Sequence, residues 1–138
     1  MFDVSVNYVG VLLAGVSNMV VGYVWYNPAV FGKTWMKLLG KTESDLKAAS
    51  KNMGMMYGMT FVASLLTAYV LAHFLVLVGS TTMSEAVMTA FWAWLGFVAT
   101  AMFANALFSG KPMKLFAIES VYVLVALVVQ AVVLTMVG

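Results

Sequence analysis

Apolar residues fill this chain in four long blocks, with polar residues confined to the joints between them. Val4 to Trp25, Asn52 to Ser84 and Ala86 to Gly110 contain no aspartate, glutamate, lysine or arginine, and Leu115 to Gly138 contains one, Glu119. A helix needs about 20 such residues, at 1.5 Å each, to cross a hydrocarbon layer roughly 30 Å thick. In lipid each backbone amide must find its partner inside its own segment, so the blocks are predicted to be helices over residues 4–26, 52–78, 86–108 and 114–137. A barrel would need many short segments of alternating polarity, and none is visible. The expected class is all-α: one integral membrane domain, a bundle of four transmembrane helices spanning residues 1–138. The first block lacks a basic leader and an A-x-A cleavage site, so it is expected to stay as a span.

The joints have readable local structure. Pro28 should stop the first helix. After it, Phe31, Trp35, Leu38 and Leu39 fall at helical spacing, while Lys33, Lys37 and Lys41 recur on another face. That pattern predicts a short amphipathic helix in the headgroup layer, within a connector over residues 27–51; a plain loop anchored by its aromatics is the alternative. Trp25, Tyr26, Phe31 and Trp35, with Lys33 and Lys37, are the expected interfacial anchors, and Trp92 and Trp94 the belt on the opposite side. Thr42-Glu43-Ser44-Asp45 reads as a capping box, with Lys47 and Lys51 further along. No helix breaker intervenes before Gly54, so the second helix is expected to start near Glu43 and run to Val78, about 54 Å. Thr81 or Thr82 is placed to cap the third helix, and Gly110 and Pro112 to separate it from the fourth.

Composition narrows the function classes. Hydrophobic residues make up 64% and charged residues 9% of the 138 positions, against about 45–50% and about 25% in a soluble domain. Mean hydropathy is +1.01. Seven lysines and five acids cannot coat a water-soluble globule, and disorder needs the opposite composition. A net charge of +2 offers nucleic acid little. With no cysteine there is no disulfide and no thiolate metal site. All positive charges are lysines, five between the first two spans and two between the last two. By the positive-inside rule the connectors at 27–51 and 109–114 face the cytoplasm and both termini face outward. Lys33, Lys37 and Lys41 are then candidates to meet anionic lipid headgroups.

The segment Gly22-Tyr-Val-Trp-Tyr-Asn-Pro-Ala-Val-Phe-Gly-Lys-Thr-Trp-Met-Lys37 resembles the W-Y-x-P…F-G-K-x-W-M pattern of the bacterial and fungal membrane family DUF1761. Leu95-Gly-Phe…Thr100…Asn105-x-Leu-Phe108 and Leu115-Phe-Ala-Ile…Tyr122 extend the resemblance over essentially the whole chain. It implies a small four-span membrane protein, here expected in the bacterial inner membrane, and no biochemical activity. It also implies an amide where this chain carries Glu119, so a carboxylate there is a departure.

Ionisable groups within spans are expensive and are functional candidates by default. Glu119 and Gln130 share one face of the fourth helix, and Asn18 falls on the small-residue row Gly10, Ala14 and Gly22 of the first. Thr60, Ser64 and Thr67 form a stripe on the second helix, while Gly96 and Thr100 lie on another along the third, with Asn105 off that face. By depth, Asn18, Thr60, Ser64 and Glu119 are placed to meet, and Lys114 is the lysine nearest Glu119 in sequence. Two readings remain open: cross-helix packing through small and polar residues, with Gly54-x-x-x-Gly58 as a further contact, or a polar path. His73 is expected to be interfacial or packed, and the methionines adaptable filler.

No catalytic constellation, phosphate loop, metal ligand set or cofactor motif is visible. The expected role is therefore a non-catalytic membrane protein, a homo-oligomeric scaffold or partner-binding protein forming a dimer or trimer through small faces of the first or third helix. The alternative is a small-solute or proton- or cation-coupled transporter or channel with its path near Glu119.

Overall fold

The computed structural model describes residues 5–42, 44, 45, 48 and 50–138, and the regular elements among them are all helical. Helix α1 (Tyr8–Trp25) leads through a π-turn at Pro28–Gly32 into the short α2 (Lys33–Leu39). A 3-10 turn at Ser50–Asn52 precedes α3 (Met53–Leu77). The third span is α4 (Met83–Ala93) and α5 (Thr100–Ser109), joined without a gap by a π-helical stretch at Trp94–Ala99, and α6 (Met113–Val137) closes the chain. Four of these helical runs are long and apolar enough to cross a membrane.

Polar side chains set the ends of these helices. Asn7 opens α1 by accepting the amides of Val9 and Gly10 at 3.0 and 3.3 Å. Asn27 repeats the device beyond it, accepting from Ala29 at 3.0 Å, and Pro28 begins the π-turn that the Gly32 amide closes on the Asn27 carbonyl at 2.9 Å. A Cβ at Gly32 would overlap the Tyr26 carbonyl oxygen and stand 2.9 Å from that of Asn27, so no larger residue fits. Gly40 and Gly110 end α2 and α5 with φ 72°. This left-handed geometry turns the amides of Lys41 and Lys111 back onto the carbonyls of Met36 and Ala106. Thr82 caps α4 by accepting the Glu85 amide at 3.2 Å.

The expected capping box forms: the Asp45 amide donates to Thr42 Oγ1 at 3.3 Å, and the Thr42 amide to Asp45 Oδ2 at 2.9 Å. That backbone donor holds the Asp45 carboxyl below the usual carboxylate range. Glu43 and Lys47 lie outside the described residues. The helix at Ser44 and Asp45 does not continue into the second span, contrary to the expectation of one rod from Glu43. Ser50 and Asn52 favour local turns over helix interiors, and Asn52 (φ −112°, ψ 16°) breaks the helical path. Helix α3 therefore measures about 37 Å rather than 54 Å.

Neighbouring spans run antiparallel. Pairings such as Asn7 with Val137, Ala14 with Gln130 and Trp25 with Ile118 set α1 along the whole of α6. Helix α3 packs chiefly on α1 while also reaching α6, and α4 packs chiefly on α6. The first and last spans thus form the centre. Alanines 14, 68, 86, 90 and 131 are fully buried there. Lipid tails give helices no hydrophobic reason to pair, so close approach over small residues carries the packing. Along the third span burial falls at Ala86 and Ala90, then Trp94, Val98 and Ala99, then Met102 and Ala106. Steps of four residues overshoot an α-turn by about 40°, and the wider π-turn absorbs that drift, keeping the row on α6.

Replacing Gly32 with alanine is expected to lower stability by about 2–3 kcal/mol, because backbone rather than a flexible side chain opposes the new carbon. Gly96→Ala, with no atom within 4 Å of its Cβ position, should be near neutral. Denaturation in detergent, followed by circular dichroism, compares the two.

Candidate functional site

Three spans meet through a seam of amides and hydroxyls. Asn18 Nδ2 donates to Ser64 Oγ on α3, and its Oδ1 accepts from the Tyr122 hydroxyl on α6 at 3.0 Å. Ser64 in turn donates to the Thr60 carbonyl at 2.9 Å. Further along, Gln130, 1% exposed, donates Nε2 to the carbonyls of Ala14 on α1 and Ser64 on α3, at 3.2 and 3.3 Å. Two indoles add to the seam from either side: Trp25 Nε1 donates to the Ile118 carbonyl at 3.0 Å, and Trp94 Nε1 to that of Ser120 at 2.8 Å. These bonds engage both polar atoms of Asn18, and those from Ser64, Gln130, Trp25 and Trp94 use the second lone pair of a helix carbonyl.

Glu119 stands apart from this seam, although its depth suggested a meeting with Asn18 and Ser64. Its Oε1 lies 3.7 Å from Lys111 Nζ and accepts no hydrogen bond among the described residues. The partner is thus Lys111 rather than Lys114, because the left-handed turn at Gly110 folds the connector back over the start of α6. Asn105 lines the same small cleft of about 30 Å³, with Met102, Ala106 and Phe116. Of the other hydroxyls, Thr60 bonds Met56 at 2.8 Å, Thr67 bonds Ala63 at 3.0 Å and Thr100 bonds Gly96 at 2.8 Å, each within its own helix. They do not join Asn18 in a path.

The aromatic residues after α1 form a packed corner. Trp25 sits on Phe31 with ring centroids 4.6 Å apart, and Tyr26 lies between Trp35 at 4.7 Å and Tyr122 at 5.2 Å. All are half-buried, while Lys33 and Lys37 point outward. Trp94, expected in an interfacial belt, is instead half-buried against α6, because its indole reaches a helix carbonyl there; Trp92 is exposed. His73 donates Nδ1 to the Tyr69 carbonyl at 2.9 Å and packs edge-on against that ring.

A family model described as a protein of unknown function, DUF1761, matches residues 9–135. The chain belongs to the DUF1761 family. No curated protein and no solved structure matches it. With four helices of spanning length, this DUF1761 chain is a small multi-pass membrane protein. The stretch from Trp25 to Met36 that resembles the DUF1761 pattern now has a physical reading. Its aromatics pack the corner, Asn27 and Pro28 start the π-turn, and Gly32 allows the backbone to close on itself.

The glycines divide into two groups. A Cβ at Gly10 would touch Val137 and Leu134 at 3.6 and 3.7 Å, and one at Gly22 would stand 3.1 Å from the Tyr122 hydroxyl. Gly15, which the spacing analysis missed, is tighter, with Leu65 Cδ2 at 2.6 Å; its place next to Ala14 gave it no distinct periodicity. By contrast Gly54, Gly58 and Gly96 meet nothing within 4 Å. Their expected packing role is not met within this chain, because α3 and the third span stand clear of their neighbours where these glycines lie.

Losing a transmembrane hydrogen bond typically costs about 0.6 kcal/mol and seldom more than about 1.7 kcal/mol. Tyr122→Phe should fall near the lower figure and Gln130→Leu, which removes two bonds, near the upper. Asn18→Ala combined with Tyr122→Phe should cost less than the sum of the two, as measured in a double-mutant cycle of detergent unfolding.

Proposed function

We propose that this DUF1761 chain is a non-catalytic protein of the cytoplasmic membrane that works by lateral association, with a second copy of itself as the partner. One observation carries the reading. Phe61, Leu65 and Ala68 lay one face of α3 on α1, and Gly54 and Gly58 continue that face at the same helical offsets. There the residues from Gly54 to Thr60 are exposed, and a Cβ at either glycine would meet nothing within 4 Å. A seam that is half filled within the chain and continues as Gly-x-x-x-Gly has the form of a helix-pairing surface. Of the small faces of the first or third span expected to carry association, that of α1 is consumed internally by α3 and α6, and the third span leaves only Gly96 open, so the paired glycines of the second span are the surface proposed.

Orientation rests on the lysines. Lys33, Lys37, Lys41, Lys51, Lys111 and Lys114 lie in or beside the connectors at one end of the bundle, and the start of α1, the end of α6 and the 79–82 connector lie at the other. The lysine end faces the cytoplasm and the termini face outward. Exposed Lys33, Lys37 and Lys41 are then positioned against anionic headgroups.

A second reading, proton- or cation-coupled transport, is favoured by one feature, the Glu119 oxygen without a hydrogen bond beside Asn105. Against it, Asn18, Ser64, Tyr122 and Gln130 are bound to one another or to helix carbonyls and Thr60, Thr67 and Thr100 to their own helices, and none reaches Glu119.

The chain has no native cysteine, so single cysteines report cleanly. Tyr57→Cys is expected to give a disulfide-linked dimer in oxidised membranes, Val76→Cys at the far end none, and Gly58→Leu should abolish the Tyr57→Cys product. Monomer throughout would overturn the association. Cysteines at Lys41 and Met83 should react with impermeant reagents from opposite sides; reaction from one side would overturn the orientation. For transport, Glu119→Gln should leave ion flux in proteoliposomes at the lipid background, as should the parent.

A further inference from the structure

A crevice of about 280 Å³ opens sideways between α3 and the third span, well away from the glycine seam and from Glu119. Leu66, Val70 and Phe74 form one wall, Ala93 and Phe97 the other, and Leu127 the floor. The single hydroxyl on its lining, Thr67, is turned onto the Ala63 carbonyl at 3.0 Å, so nothing inside waits for a polar ligand. An apolar cavity of about 150 Å³ stays dry and admits benzene; this one is nearly twice that and open along its length. Phe97 and Val98 on the third-span wall belong to the π-helical stretch at Trp94–Ala99, and such stretches inside α-helices gather at functional sites.

The surroundings choose the occupant. A second copy is already placed at the other end of α3 by the association proposed above. Water has no partner in the crevice. The mouth opens on the side of two membrane-spanning helices, where the surrounding medium is hydrocarbon. Left empty, the crevice would strip its lining of dispersion contacts; a flexible chain of methylenes restores them. Phe74 lies one turn from the end of α3, while Leu127 lies midway along α6. The crevice therefore runs from near the 79–82 connector to mid-depth, the direction in which an acyl chain descends from its headgroup.

We propose that this crevice seats one acyl chain of a phospholipid from the leaflet on the side of the 79–82 connector. The seat is independent of the association surface, which lies at the other end of α3.

The test is photolabelling of the full chain in liposomes of phosphatidylcholine carrying a diazirine within one acyl chain, with labelled residues located by mass spectrometry. Label should concentrate on Leu66, Val70 and Phe97 relative to Val62 and Leu107, which are as exposed but lie outside the crevice. Ala93→Phe and, from the opposite wall, Thr67→Phe should each lower crevice labelling by about tenfold, since the new ring takes the contacts the chain would make. Labelling at Val62 and Leu107 should stay constant. Thr67 is exposed, so its variant retains the fold if Ala93→Phe does not. Even labelling over all exposed positions, or crevice labelling unchanged in the Thr67 variant, would overturn the proposal.

Discussion

The carbonyls of Ala14 and Ser64, on two different helices, share the amide of Gln130 on a third. That shared amide fixes the rotation of α1, α3 and α6 about one another at a single depth, and the rest of the bundle follows from it. Apolar side chains alone specify little in this setting, because a leucine facing lipid is nearly as well placed as a leucine facing protein. Direction has to come from groups that hydrocarbon cannot satisfy. Gln130 and Asn18 supply it in the interior, and the buried alanines allow the helices close enough for those bonds to form.

Next to this rigid centre, the chain shows two kinds of irregularity with different sources. The π-turn at Pro28–Gly32 is dictated locally: proline removes a donor, Asn27 supplies a cap, and glycine makes room for two carbonyls. The π-helical stretch at Trp94–Ala99 has no such local cause. It keeps a row of residues spaced by four in contact with α6, and so it is imposed by the partner helix. The lipid-facing crevice lies beside the second kind, where the helix path is set by packing on one side only.

What the sequence made legible follows the same division. Four helices were readable because span length and hydrocarbon thickness leave no other solution. Asn18, Ser64 and Gln130 stood out because polar residues recurring on one face of an apolar helix must bond one another. Tyr122 was not readable as their partner, since a tyrosine near a span's end equally fits an interfacial belt; only its contact with Asn18 separates the cases. The pairing of Glu119 with Lys111 depends on the backbone reversal at Gly110, a three-dimensional fact that nearness in sequence misassigned to Lys114. The break before Met53 escaped notice because serine, lysine and asparagine are individually tolerated in helices and become a break only together.

The adjacency of α1 and α6 has a consequence for biogenesis. The Ala14–Gln130 bond joins residues 116 positions apart, so the earliest made of these four spans has its principal neighbour in the latest of the four. Until that fourth span emerges, Asn18 sits in the bilayer with Ser64 as the one seam partner already synthesised. The nascent intermediate is a pair of helices awaiting a third, and a membrane chaperone or protease can act on it throughout the interval between them.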